Sequence, residues 1–244
     1  TMKASLAQSK QQQGTLVLHD WGCHIGFLLE RLHPELVRRV VAMDVGLPTF
    51  KGQSFAFLPI MVIAGLVYQW WLATAFLIAT LVPLVGPLIG DLMTGFAISC
   101  IGDRFHQTTE YRQENVSAAM NYPYFWFHLS FWLEASGLRP SFDDRHGCAD
   151  RHAGRDPVPI LFFYGADKGF KFHGQKWEDK LRTQGVVNGS KVVPLPDPAE
   201  SVAFAMGIHP RPKAVGHWVQ LREPETVNTE MAAWLRKTDG DDVD

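Results

Sequence analysis

The sequence lacks several features that would assign it to a specialised class of protein. Its 244 residues carry a formal net charge of only −2, so no basic excess indicates a nucleic-acid partner. Residues 1–13 are polar and show no signal-peptide pattern. The three cysteines, Cys23, Cys100 and Cys148, form no Cys-x-x-Cys pair and no even disulfide framework. They are therefore predicted to be free thiols in a reducing compartment, which indicates the cytoplasm.

Charged side chains are absent from residues 53–90, and most side chains of residues 55–89 are apolar. A run of this length can span a membrane or form a helical hairpin. Prolines and glycines interrupt the run, which favours a lid of apolar helices that lines a buried site. Membrane association through residues 55–101 is the alternative that the sequence leaves open.

The rest of the chain has the composition of a globular protein, with 46% hydrophobic and 20% charged residues. Apolar runs that predict strands alternate with amphipathic runs that predict helices. The predicted strands are Thr15–Leu18, Arg39–Val45, Val158–Tyr164 and Lys191–Pro194, and the predicted helices between and after them are Ile25–Leu32, 173–184 and Glu223–Arg236. This alternation predicts an α/β fold with a mostly parallel sheet flanked by helices.

About 110 residues separate the second and third predicted strands, and a connection of that length needs structure of its own. We therefore predict a core formed by residues 1–46 and 157–236, a helical lid over residues 47–156, and a polar tail over residues 237–244. The lid is expected to contain apolar helices within residues 55–101, a polar amphipathic helix near residues 104–121 and an aromatic helix at Tyr122–Glu134.

The motif with the most chemical information is His19-Asp20-Trp21-Gly22, between the first strand and the first helix. A sharp strand-to-helix turn that presents a reactive side chain is typical of a nucleophile elbow, and Gly22 is predicted to allow a close approach there. The residue at the apex is Asp20. A carboxylate nucleophile forms an alkyl ester by displacement at carbon, which indicates epoxides or alkyl halides as substrates.

This elbow, the run at residues 33–41 and the late Gly216-His217-Trp218 together resemble the α/β-hydrolase superfamily, in its branch of epoxide hydrolases and haloalkane dehalogenases. The order nucleophile, acid, histidine also matches that superfamily. The resemblance implies a partial α/β-hydrolase fold with a helical lid insertion. It further implies hydrolysis of a small apolar organic substrate, with no cofactor and no metal.

The resemblance assigns three catalytic roles. Asp20 would attack carbon, and His217 would activate the water that hydrolyses the resulting ester. A carboxylate must orient His217, and two candidates remain. Asp44 lies at the end of the second strand, where some dehalogenases carry their acid, and it ranks slightly above Asp167, which lies one residue before the position usual in relatives.

Substrate contacts are also implied by the resemblance. The backbone N–H of Trp21 would be one oxyanion donor, and its indole would either face the substrate or only pack. Tyr122 or Tyr124 of the lid would donate a hydrogen bond to an epoxide oxygen. In a haloalkane dehalogenase, Trp21 and a lid tryptophan such as Trp70 or Trp126 would instead bind halide.

One expected element is missing from the sequence. Relatives carry a His-Gly-x-Pro loop, on strands before the elbow strand, that supplies the second oxyanion N–H, and no such motif occurs here. We therefore expect a truncated gene model, a fragment or a degenerate paralogue of a longer hydrolase, with an unpaired edge along Thr15–Leu18. The alternatives to an epoxide hydrolase are a haloalkane dehalogenase and a non-catalytic, membrane-associated remnant of the fold.

Overall fold

The computed structural model describes residues 12–46, 59–102, 117–140, 154–166, 171–196 and 215–239. The chain divides into two compact units, one formed by Thr1–Gln53 with His146–Asp244 and the other by Ser54–Arg145. In chain order, the strands and helices are β1 (Gly14–His19), α1 (Trp21–Leu32), β2 (Val37–Met43), α2 (Pro59–Leu81), α3 (Gly86–Gly102), α4 (Tyr122–Ala135), β3 (Ile160–Gly165), α5 (Gln175–Asn188), β4 (Lys191–Leu195), α6 (Val219–Arg222) and α7 (Pro224–Asp239), with short 3-10 turns at Pro34–Leu36 and Ala118–Asn121.

The first unit is built on a four-stranded sheet in the order β1-β2-β3-β4, and every neighbouring pair is parallel. Successive residues of β2 face opposite layers, with Val40 packed beside α1 and α5 and Val41 beside α6 and α7. Helices therefore cover both faces of the central strands, as a parallel sheet requires. The predicted α/β class with a mostly parallel sheet is confirmed.

Strand β1 is the outermost strand in the described part of the sheet, where β2 is its only neighbour. The side chain of Val17 on this strand is 57% exposed. A branched apolar residue with that exposure is unusual in a strand of a parallel sheet, whose faces are normally covered. The carboxyl end of β1, in contrast, is well anchored, because His19 pairs with Met43 at the end of β2.

The turn after β1 differs in two ways from its predicted form. Helix α1 begins at Trp21, directly after the apex, rather than at Ile25. A Cβ atom added at Gly22 would meet no described atom within 4 Å, so the described residues show no close approach at Gly22. The close approach lies at Gly26, where an added Cβ would stand 2.3 Å from Leu18 Cδ1. Gly26 thus lets α1 pack directly on β1.

The last helix extends further than predicted, because α7 ends at Asp239 and includes the first residues of the predicted polar tail. The Asp239 carboxylate pairs with Arg38 at 2.8 Å and with Arg39 at 2.9 Å. Arg39 is buried and also donates to the carbonyl oxygen of Leu235 at 3.0 Å. These contacts to β2 hold the final turn of the helix in place.

The second unit is helical in its described part. The Trp71 indole N–H of α2 donates to the Met93 carbonyl oxygen of α3 at 2.8 Å, and the Asn121 amide donates to Thr94 at 2.8 Å. The predicted aromatic helix is present as α4, whereas most of the polar helix expected near residues 104–121 lies outside the described residues. None of the helices within the described ranges combines the length and hydropathy that a membrane span requires.

Candidate active site

Asp20 occupies the turn between β1 and α1 in a backbone conformation that L-residues rarely adopt. Its φ is 52° and its ψ is −125°, in a region that is favourable only for glycine. The Asp20 carbonyl accepts the first helical hydrogen bond from the Cys23 N–H at 2.9 Å. The turn is therefore sharp, as in a nucleophile elbow, and the Asp20 side chain is 45% exposed at the end of the strand.

His217 lies in the loop before α6 and reaches two carboxylates with its two ring nitrogens. Its Nε2 atom is 3.6 Å from Asp20 Oδ1, and its Nδ1 atom forms a short hydrogen bond with Asp44 Oδ2. Asp44 directly follows β2 and is only 1% exposed. This is the order of contacts expected for a nucleophile, a base and an orienting acid.

The three groups perturb one another's protonation. Burial by itself lowers the pKa of His217. The hydrogen bonds and negative charges of Asp20 and Asp44 raise this pKa by more than burial lowers it, so the pKa is about 8. Burial raises the pKa of Asp20, but the hydrogen bond and charge of His217 lower it more, so the pKa lies below its ordinary value. At neutral pH, Asp20 is therefore ionised and His217 is largely protonated.

The structure thus brings together Asp20, His217 and Asp44 from the predicted site. Asp167, the second candidate for the acid, lies outside the described residues. Trp21 is the first residue of α1, and its backbone N–H lowers the pKa of Asp20 through a hydrogen bond. The centroid of the Trp21 indole lies 5.1 Å from the centroid of the His24 ring.

The predicted lid residues belong to the second unit. Tyr122 is the first residue of α4 and is exposed, and the ring of Tyr124 meets that of Tyr68 edge to face at 5.9 Å. Trp70 stacks on His128 at 4.7 Å and lines an apolar pocket of about 400 Å³ between α2 and α3. Their roles toward a substrate stay predictions.

Three side chains around His217 were not assigned a role from the sequence. The ring of Phe172 meets that of His217 edge to face at 5.4 Å, and the ring of Trp218 does so at 5.5 Å. His19 contacts the backbone of His217. His19 and Trp218 are chain neighbours of predicted residues, a signal that could have identified them, whereas nothing in the sequence indicates Phe172.

Other reactive groups in the first unit are less suited to chemistry. Cys23 is buried in the first turn of α1, and burial raises the pKa of its thiol to about 12, which disfavours the reactive thiolate. Across the described ranges, no three His, Cys, Asp or Glu side chains are grouped so that they could hold a metal ion.

Comparison with known proteins gives similarity in structure only. No protein-family model matches the sequence, and no curated protein matches it. A loop variant of a haloalkane dehalogenase from Bradyrhizobium elkanii superposes with a TM-score of 0.56 at 16% identity, over 98% of this chain and 72% of that one. An epoxide hydrolase from Bacillus megaterium superposes with a TM-score of 0.53 at 16% identity, over 96% of this chain and 73% of that one.

These similarities confirm the predicted fold. The parallel sheet flanked by helices is that of the α/β-hydrolase fold, and solved structures of epoxide hydrolases and haloalkane dehalogenases are among those that share it. At this level of identity the likeness extends to the fold, while activity has to be argued from the site itself.

Proposed function

We propose that this chain is a hydrolase of the epoxide-hydrolase type, with Asp20 as nucleophile and His217 as base. The observation that carries the proposal is the position of His217, whose two ring nitrogens face Asp20 and the buried Asp44. A carboxylate, a histidine and a second carboxylate in this order provide the groups needed to form an ester and then hydrolyse it.

In the first step, an oxygen of the Asp20 carboxylate attacks an epoxide carbon. The carbon–oxygen bond of the ring breaks, an alkyl ester of Asp20 forms, and the opened oxygen takes up a proton. The low pKa of Asp20 keeps the nucleophile ionised. We propose Tyr122 or Tyr124 as the donor of that proton, as the resemblance implies.

In the second step, neutral His217 removes a proton from a water molecule, and the resulting hydroxide attacks the ester carbonyl of Asp20. The bond between the acyl carbon and the ester oxygen breaks, which releases a diol and regenerates the carboxylate. The Trp21 backbone N–H at the start of α1 already forms a hydrogen bond with the Asp20 side chain, and we propose it as a donor to the oxyanion. Asp44 would stabilise the imidazolium that forms.

Ester formation is expected to lower the pKa of His217, because it removes the Asp20 charge that raises it to about 8 in the free protein. Burial and Asp44 then act alone. As the pH decreases, the hydrolysis rate should therefore fall to half of its maximum at a pH clearly below 8. Rapid-quench mass spectrometry of ester decay between pH 5 and 9 would measure this half-maximal pH. An NMR titration of His217 would give the pKa of His217 in the free protein for comparison.

A variant without the nucleophile provides the matching control, because Asp20→Ala removes the same charge in the absence of substrate. The His217 pKa in this variant should fall as it does in the ester. An unchanged His217 pKa in Asp20→Ala, or an ester whose decay titrates at pH 8 or above, would contradict the proposed coupling.

The identity of the orienting acid can be decided by paired variants. Asp44 bonds to His217 Nδ1, so Asp44→Asn should slow ester hydrolysis by about 10³-fold or more, since an amide no longer stabilises the imidazolium. Because Asp44 already bonds to Nδ1, we expect Asp167→Asn to change the rate by less than about threefold. The reverse ranking would transfer the role to Asp167.

Dehalogenation of alkyl halides is a second candidate, because a haloalkane dehalogenase is also among the structures that share the fold. The same Asp20 ester would form, with halide as leaving group. Panels of terminal epoxides and primary bromoalkanes would distinguish the two activities by the diol or the halide released. Absence of turnover on both panels, together with sedimentation of the chain with membranes, would instead support a non-catalytic membrane-associated protein.

A further inference from the structure

The histidine that precedes the nucleophile contacts the main chain of the base. His19 is the last residue of β1, and its Nε2 atom lies 3.0 Å from the carbonyl oxygen of His217. A carbonyl oxygen can only accept a hydrogen bond, so Nε2 carries the proton and donates it. This contact fixes the tautomer of His19.

The described part of the segment before α6 is tightly turned at His217. Gly216 has a φ of 64°, and α6 begins at Val219, two residues after the base. A left-handed glycine supports a sharp turn but adds no side chain to hold it. The ring of His217 is held by Asp44 and its carbonyl by His19.

The two anchors come from adjacent strand ends. His19 ends β1 and pairs with Met43, the last residue of β2, and Asp44 follows Met43 directly. We propose that His19 is a positioning residue for the base, whose N–H bond to the His217 carbonyl fixes the imidazole relative to the nucleophile on the same strand end. This inference rests on the proposed function and deepens it.

Neighbouring groups keep His19 in the form that can serve as this anchor. The centroid of the His19 ring lies 4.6 Å from that of the His217 ring and 4.7 Å from that of the Trp218 ring. His19 is therefore packed on two sides. Burial and the positive charge of His217 lower the pKa of His19. The neutral tautomer with its proton on Nε2 therefore persists beside a protonated His217.

Loss of the anchor should affect the two chemical steps differently. Ester formation needs Asp20, which keeps its place at the elbow, whereas hydrolysis needs Nε2 of His217 at the right distance from water. Small misplacements of a catalytic group can cost large factors in rate. When hydrolysis limits turnover, slowing it lowers kcat and KM together and leaves kcat/KM nearly unchanged. A variant that is merely partly unfolded loses kcat at constant KM.

The test compares His19→Ala with His19→Gln, whose amide N–H can reach the same carbonyl, and with the control His33→Ala on an exposed histidine. We expect His19→Ala to lower kcat and KM in parallel by about tenfold. His19→Gln should recover most of both parameters, and His33→Ala should match the wild type. A fall in kcat at constant KM in His19→Ala, or no rescue by glutamine, would overturn the inference.

A second measurement separates this inference from the proposed activity. In an NMR titration of His217 without substrate, His19→Ala should lower the His217 pKa, because a loosened ring makes weaker contacts with Asp20 and Asp44, and His19→Gln should keep it. If this pKa shift is found but the protein turns over no substrate, the positioning role of His19 is supported and the proposed function is contradicted. If the protein is active but His19→Ala changes neither the His217 pKa nor the kinetics, the positioning role of His19 is contradicted and the proposed function is not.

Discussion

Replacing Asp20 by glycine is expected to abolish turnover and, relative to alanine at the same position, to stabilise the fold. Both variants lose the proposed nucleophile, so multiple turnover should fall by about 10⁴-fold or more. The φ of 52° and ψ of −125° at residue 20 are costly for any side chain but favourable for glycine. Asp20→Gly should therefore exceed Asp20→Ala in free energy of unfolding by about 1 kcal/mol, measured by urea denaturation.

The comparison of the two variants isolates the backbone, because both lack the carboxylate that pairs with His217. Asp179→Ala, on the exposed face of α5, serves as the control and should retain wild-type turnover. Two results would count against the expectation: residual multiple turnover in Asp20→Gly, which would move the nucleophile elsewhere, or an alanine variant at least as stable as the glycine variant.

Replacing His217 by glutamine is expected to stop the reaction at the ester. Asp20 remains available for attack, but no base activates water, so hydrolysis should slow by about 10³-fold or more. One equivalent of covalent adduct should accumulate after acid quenching, and intact-mass spectrometry would detect it. An epoxide adds its full mass, whereas a haloalkane adds its mass less that of the hydrogen halide, with one halide released per chain.

This single measurement therefore distinguishes the two substrate classes as well as testing the base. His33→Gln, a substitution of an exposed histidine, should show steady turnover without adduct. Continued multiple turnover in His217→Gln would exclude His217 as the base. A trapped adduct that maps to a residue other than Asp20 after proteolysis would exclude the proposed nucleophile.

The strands and most helices were predictable because their sequence signals are local. The apolar run ending at His19 and the buried run at Ile160–Gly165 need no knowledge of distant residues to be identified as strands. The extension of α7 to Asp239 was not predictable, since it depends on pairing with arginines of β2 some 200 residues earlier. The sequence locates Gly22 in the elbow, but the close contact between helix and strand lies at Gly26, where Leu18 leaves no room for a Cβ atom.

The site was predictable in its residue types and less so in its connections. The elbow marks Asp20, and the chain order suggests His217, but two carboxylates competed for the role of acid. Only the three-dimensional position of the loop places Asp44 on Nδ1 of His217. Phe172 gave no signal at all, because it reaches the site through a backbone hydrogen bond from Gly46 to its carbonyl at 3.2 Å.

The bond between His19 and the His217 carbonyl joins residues 198 positions apart, and this separation sets the order in which the site is completed during synthesis. Domains fold largely in the order in which they leave the ribosome. Asp20 and Asp44 emerge early, the helices of the second unit follow, and His217 emerges after β4. Until that stage the chain carries the proposed nucleophile without the proposed base, so the complete site would form only when the last loop docks.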